Sequence, residues 1–186
     1  MTTRETLIEQ LTLNVGKARG LWIGMSADRS PQHELIKLEV LSANDGVSSP
    51  DDHVTIAHLG KTCGRREVES AVAACDVVSA LFAPVQTSVE CLGRFWSAIV
   101  AIVAPRKIDE VADTLDGALR DRHVYRDESF AGIRHVTVMK PRYDPLVTTS
   151  VVPKIKSYTL TFRSLMVVCG DARFETPFSK RTELVF

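Results

Sequence analysis

His53, His58 and Cys63 follow one another at intervals of five, with Cys75 beyond, and zinc accepts side chains of these types as ligands. The spacing argues against a shared ion. Residues five apart on a strand point to opposite faces, and neither a CxxC nor an HxxxH pair occurs, so no metal site and no cofactor is expected. Cys75 falls within a helical apolar pattern, where a free cysteine acts as a small core residue. A nucleophile and a base can also meet through the fold, as Cys63 or Cys91 with His123 or His135, because such groups are defined by geometry and need no sequence order. No spacing selects one of these pairs, so catalytic residues stay unassigned. Gly60-Lys61-Thr62 has the ending of a phosphate-binding loop, but Thr55 stands where that motif needs its first glycine. GxSxG, HExxH and GxGxxG are absent.

Charge is the second source of chemistry. The chain carries 23 Lys and Arg against 23 Asp and Glu, so it is formally neutral. Residues 129–163 nevertheless hold Arg134, Lys140, Arg142, Lys154, Lys156 and Arg163 against the single acid Asp144, with Tyr143, Tyr158 and Phe162 interleaved. Basic and aromatic side chains on adjacent strands can engage phosphates and stack bases, so Lys140, Arg142, Lys154, Lys156 and Arg163 are the candidate contacts for a polyanion. Asp109, Glu110, Asp113 and Asp116 read as the solvated side of an amphipathic helix.

The elements that must position these groups follow from periodicity. Apolar residues at helical spacing predict helices over 3 to about 15, 65–82 and from Ile108 to Leu119. Strands are expected at 21–25, at 33–41, where Ile36, Leu38 and Val40 alternate with Lys37 and Glu39, and around Val54 and Ile56, making 20–59 a strand meander. The 44–52 stretch has turn composition. Pro84 ends the second helix and a linker leads to a central strand at 95–103, followed later by strands at 133–139 and 155–169 and a possible edge strand at 182–186. No internal repeat is evident. This order predicts an α+β fold with a mixed or mainly antiparallel sheet of about six strands and three helices. A jelly-roll-like β-sandwich with helical insertions is the alternative.

Length and composition suit one domain spanning residues 1–186. Arg4, Glu5 and Glu9 interrupt any signal-like apolar stretch, and the longest wholly apolar run, 98–104, is far shorter than the roughly 20 residues of a membrane span. Four dispersed cysteines suggest a reducing compartment, so a cytoplasmic or otherwise intracellular location is expected, or a virion for a viral protein. Without a catalytic motif, the sequence reads as a non-enzymatic, self-associating structural protein of viral coat, matrix or nucleoprotein type. It would form a homo-oligomer whose basic strands face RNA or an anionic membrane surface. The alternative is a small enzyme or ligand-binding domain whose site is assembled from dispersed Cys and His residues.

Overall fold

A computed structural model describes residues 3–15, 20–61, 63–95, 98–127, 132–142 and 151–179. Among them are four helices and eight strands, an α+β fold on one antiparallel sheet. Helix α1 (Arg4–Val15) begins where Thr3 Oγ1 accepts the Thr6 N–H at 3.2 Å, and it buries Ile8, Leu11 and Val15. Strand β1 (Leu21–Ala27) follows.

The stretch expected as a strand over 33–41 is instead part of helix α2 (Pro31–Ala43). Ser30 is extended just ahead of it, and Pro31 opens the first turn, where its missing N–H costs nothing. Its buried residues are His33, Ile36, Lys37 and Val40, one helical stripe. Leu38, which completed the apparent alternation, is 64% exposed. The meander expected over 20–59 is therefore interrupted by a helix, and the turn-rich stretch after it contains the short strand β2 (Gly46–Ser48).

Strand β3 (His53–Gly60) leads into α3 (Arg65–Leu81), whose start is held by the Gly64 N–H donating to the Glu67 carboxylate at 2.7 Å. The supposed linker after Pro84 is strand β4 (Val85–Phe95), which pairs with β5 (Ala98–Val103). Helix α4 (Arg106–Arg120) precedes β6 (His135–Pro141), β7 (Tyr158–Cys169) and β8 (Ala172–Pro177). The tight β7–β8 hairpin uses Gly170 at φ 60°, a backbone region that favours glycine. The edge strand expected at 182–186 lies outside the described residues.

The sheet runs in the order β1-β3-β6-β5-β4-β7-β8, with β2 on β6, and β1 also pairs with β7. Six strands therefore close a ring, β1 to β7 and back to β1. Helix α3 packs on α1, α4, β7 and β8, α4 packs on β3 and β4, and α2 covers β2 and β6. Phe162, Leu11, Ile23, Met25, Ile99 and Leu115 are fully buried, each contributing about 1.5–3 kcal/mol from apolar burial.

Candidate active site

Strands β3 and β6 run antiparallel and meet with Val54 opposite Val136. Each valine is the centre of the same tripeptide, His53-Val54-Thr55 and His135-Val136-Thr137. Paired residues share a face and neighbours along a strand alternate, so both valines turn one way and the two histidines and two threonines turn the other. The burial pattern agrees: both valines are buried, and His53, Thr55, His135 and Thr137 are half-buried. This register sets His53 across from Thr137 and His135 across from Thr55, with the two histidines as diagonal neighbours about 7–8 Å apart at the backbone.

The two rings are held alike. His53 Nδ1 lies 3.2 Å from the carbonyl oxygen of Asp51, and His135 Nδ1 lies 2.7 Å from that of Ile133, in each case two residues upstream. A carbonyl only accepts, so each Nδ1 carries the hydrogen and each Nε2 is left to give or take a proton. An aromatic ring braces each imidazole. Trp22 of β1 stacks on His53 with centroids 4.7 Å apart, and Phe95 of β4 stacks on His135 at 5.0 Å. Gly24 makes the first stack possible, since a Cβ there would come within 2.9 Å of Trp22 Cζ3 and 2.8 Å of the Val54 carbonyl oxygen.

Burial pushes the His53 pKa below the ordinary histidine value, and the positive charges of Arg173 and Lys140 add to this. The hydrogen bond to the Asp51 carbonyl and the Asp51 charge oppose the shift without cancelling it. Arg173 on β8 is itself paired with the Asp51 carboxylate at 2.7 Å. Lys140 comes to the histidine face through a bulge: Val100 pairs with Thr137 but Ile99 pairs with Met139, so the extra residue in β6 reverses the alternation beyond it. Two half-buried imidazoles, two hydroxyls and two nearby cations can bind an anionic group and move protons on either side of it.

The residue ahead of each histidine is an anchored ion. Asp52 Oδ1 lies 2.6 Å from Lys37 Nζ of α2, both side chains 6% exposed. Burial raises the Asp52 pKa, but the close approach of His33 and Lys37 outweighs it and holds the carboxyl below its ordinary value. His33 is fully buried; its Nδ1 meets the Tyr158 hydroxyl, and its Nε2 faces Asp52 Oδ1 at 3.3 Å, misaligned for a hydrogen bond. On the other motif, Arg134 Nε donates to Asp109 of α4 at 2.8 Å, and Arg134 Nη1 reaches the Thr55 carbonyl at 3.4 Å.

Of the five basic residues singled out in the sequence, Lys140 stands at this face. Arg142 pairs with Asp45 at 3.6 Å, Arg163 pairs with Asp28, and Lys154 and Lys156 are exposed ahead of β7. His135, named with His123 as a possible base, lies in the site; His123 is an exposed residue at φ 57° just beyond α4. The Cys63 thiol donates to the Leu59 carbonyl at 3.1 Å, and burial pushes its pKa up, the reverse of what a nucleophile needs. Cys75 is a core residue of α3, and Cys91 is exposed on β4. Gly60 takes φ 90° at the end of β3, Lys61 is exposed, and Thr62 is outside the described residues. A cavity of about 720 Å³ lined by His58, Asp116, Arg120, Arg126 and Arg134 includes neither motif histidine. The missed signal was the repeated His-Val-Thr, too short to register as a repeat until strand register sets its two copies side by side.

Neither a protein-family model nor a curated protein matches the sequence. Solved structures do match the fold. TT0787 of Thermus thermophilus aligns with a TM-score of 0.62 at 12% identity, over 86% of this chain and 95% of that one. The PDE domain of MHV ns2 aligns at 0.54 and 16% identity, over 74% and 99%. Escherichia coli LigT in complex with NADP+ aligns at 0.53 and 12% identity, over 87% and 95%, and similar structures of it hold 3′-AMP or ATP. These likenesses correct the expectation of a self-associating coat, matrix or virion protein: the chain has the fold of a PDE domain and of the nucleotide-binding LigT, and the enzyme alternative is the better supported.

Proposed function

We propose that this chain is a phosphodiesterase acting on nucleotide-type phosphodiesters, with His53 and His135 as its proton-transfer pair. The observation that carries this reading is the pairing of the two His-Val-Thr tripeptides on one sheet face, each histidine with Nδ1 tied to a carbonyl and Nε2 left over. Hydrolysis of a phosphodiester needs a base to take a proton from the attacking oxygen and an acid to give one to the leaving oxygen, on opposite sides of phosphorus. Two imidazoles that are diagonal neighbours on adjacent strands flank a phosphate in that way. His53, kept neutral by burial, suits the base, and His135 the acid. The Thr55 and Thr137 hydroxyls would donate to the non-bridging oxygens as negative charge builds there, while Lys140 and Arg173 favour an anionic substrate. The likeness to the MHV ns2 PDE domain and to nucleotide-bound LigT supports the substrate class.

The test is turnover of nucleoside cyclic phosphates, dinucleotides and a nucleotide p-nitrophenyl ester by wild type, His53→Ala and His135→Ala. Each variant should lose about 10²–10⁴-fold in kcat on ordinary substrates. His135→Ala should recover most of its loss on the p-nitrophenyl ester, whose leaving group needs no acid, and His53→Ala should not. A wild-type protein that turns over none of these overturns the reading.

A further inference from the structure

The buried ions ahead of each histidine are costly and have no part in the proton transfers proposed above. Removing Lys37 and Asp52 from water cancels most of what their attraction returns, so a buried pair of this kind adds little stability over an apolar pair of the same volume. What it fixes is geometry. Lys37 also donates to the Ser49 carbonyl at 3.3 Å, Ser49 N–H donates to the Val138 carbonyl at 3.2 Å, and Ala27 N–H donates to the Asp52 carbonyl at 2.8 Å. The 49–52 segment is thus pinned from α2, β6 and β1, and it carries the Asp51 carbonyl that holds His53 Nδ1. Arg134 repeats the device from α4. Its guanidinium joins Asp109 to the Thr55 carbonyl, while its own carbonyl accepts from Val103 N–H at 3.0 Å, which locks the backbone between Ile133 and His135.

We infer that Asp52 and Arg134 are positioning residues, each tied to a helix so as to hold the upstream carbonyl that fixes the Nδ1–H form of the histidine following it. Each anchor has its own charged partners: Asp52 with Lys37 and His33 serves His53, and Arg134 with Asp109 serves His135, so loss of one should fall mainly on its own histidine. The inference rests on the phosphodiesterase reading for its catalytic consequence, but the tautomer it concerns is a property of the free protein.

Imidazole ¹⁵N NMR on the full chain separates the two. Wild type should show both His53 and His135 in the Nδ1–H form. In Lys37→Met/Asp52→Leu, His53 should become a mixture of tautomers while His135 stays as it was; in Asp109→Asn, the milder change because Asp109 is 46% exposed, only His135 should change. If the phosphodiesterase reading holds, kcat should fall by up to about 10²-fold in each variant with KM within about twofold, the signature of misplaced catalytic groups. Folded variants with both tautomers unchanged, or with both histidines loosened together, overturn the inference. If the buried double variant does not fold, Asp109→Asn decides alone, and an unchanged His135 overturns it. A selective tautomer change in a protein without turnover would instead sink the phosphodiesterase reading and leave the anchors standing.

Discussion

At the scale of single residues, the two histidines share a tautomer but not a setting. His53 is covered by the Trp22 ring and faced by Arg173 of β8, Lys140 of β6 and Asp51 of the preceding turn, and burial is the largest of the influences that lower its pKa. A base with a lowered pKa stays unprotonated to lower pH, so the acid limb of kcat/KM should fall below the ordinary histidine value of about 6.5. Trp22→Ala removes the cover. Water then reaches the ring, the protonated form is stabilised, and the pKa rises toward its ordinary value, so activity should be lost at a higher pH than in wild type. A pH profile of kcat/KM on a single nucleotide diester reads the shift. An acid limb at the same pH in both proteins would mean that Trp22 does not set the protonation of His53, or that His53 is not the base. Sequence alone offered both histidines as separate candidates, one for metal and one for catalysis. Side-chain type was legible, but which two side chains meet depends on strand register, which neither residue encodes by itself.

At the scale of elements, legibility followed how far each periodic pattern runs without interruption. Helices α3 and α4 have apolar stripes several turns long, and β7 alternates from Tyr158 to Phe162, so each was readable. Strand β4 begins as clear an alternation, with Val85, Thr87 and Val89 buried, but the shift between Val89 and Cys91 against β5 is a bulge that resets the phase and hides the strand. Helix α2 was hidden for the opposite reason. The helical pair Ile36 and Val40, with exposed Leu38 between them, imitates a period of two over five residues. Strand β1 shows how an element serves the site through what it lacks. It runs along β3 with Trp22, Gly24 and Ser26 on the histidine face, and the indole lies across Gly24 to reach His53. Gly24→Ala should cost about 1–3 kcal/mol by overpacking, since the new Cβ meets the Val54 carbonyl and the indole together and one is fixed backbone. Chemical denaturation measures that loss. The displaced indole should also move the His53 titration in the same direction as Trp22→Ala, and a loss of stability with an unmoved His53 would show that the glycine serves packing alone.

At the scale of the whole molecule, the ring of strands was the least legible feature, because it depends on β1 pairing with both β3 and β7, partners separated by most of the chain. The ring also says where a ligand acts. Its pairings are long on most sides, as between β1 and β7 or β4 and β5, but β3 and β6 are joined through Val54 and Val136, between the two histidines. The candidate site therefore spans the thinnest seam of the sheet, and a phosphate held by both tripeptides would bridge it. A nucleotide that binds only the folded chain stabilises it by mass action, by about 2.7 kcal/mol at a hundredfold excess over Kd, or a Tm rise of roughly 5–10 °C for a domain of this size. With 3′-AMP as the probe, that rise should appear in wild type and vanish in the His53→Ala/His135→Ala double variant. Hydrogen exchange should slow most at the amides of 53–55 and 135–137, because local opening of the seam is what the bound phosphate opposes. An equal Tm rise in wild type and double variant, with protection elsewhere, would place the nucleotide away from this face and remove the seam from the account of binding.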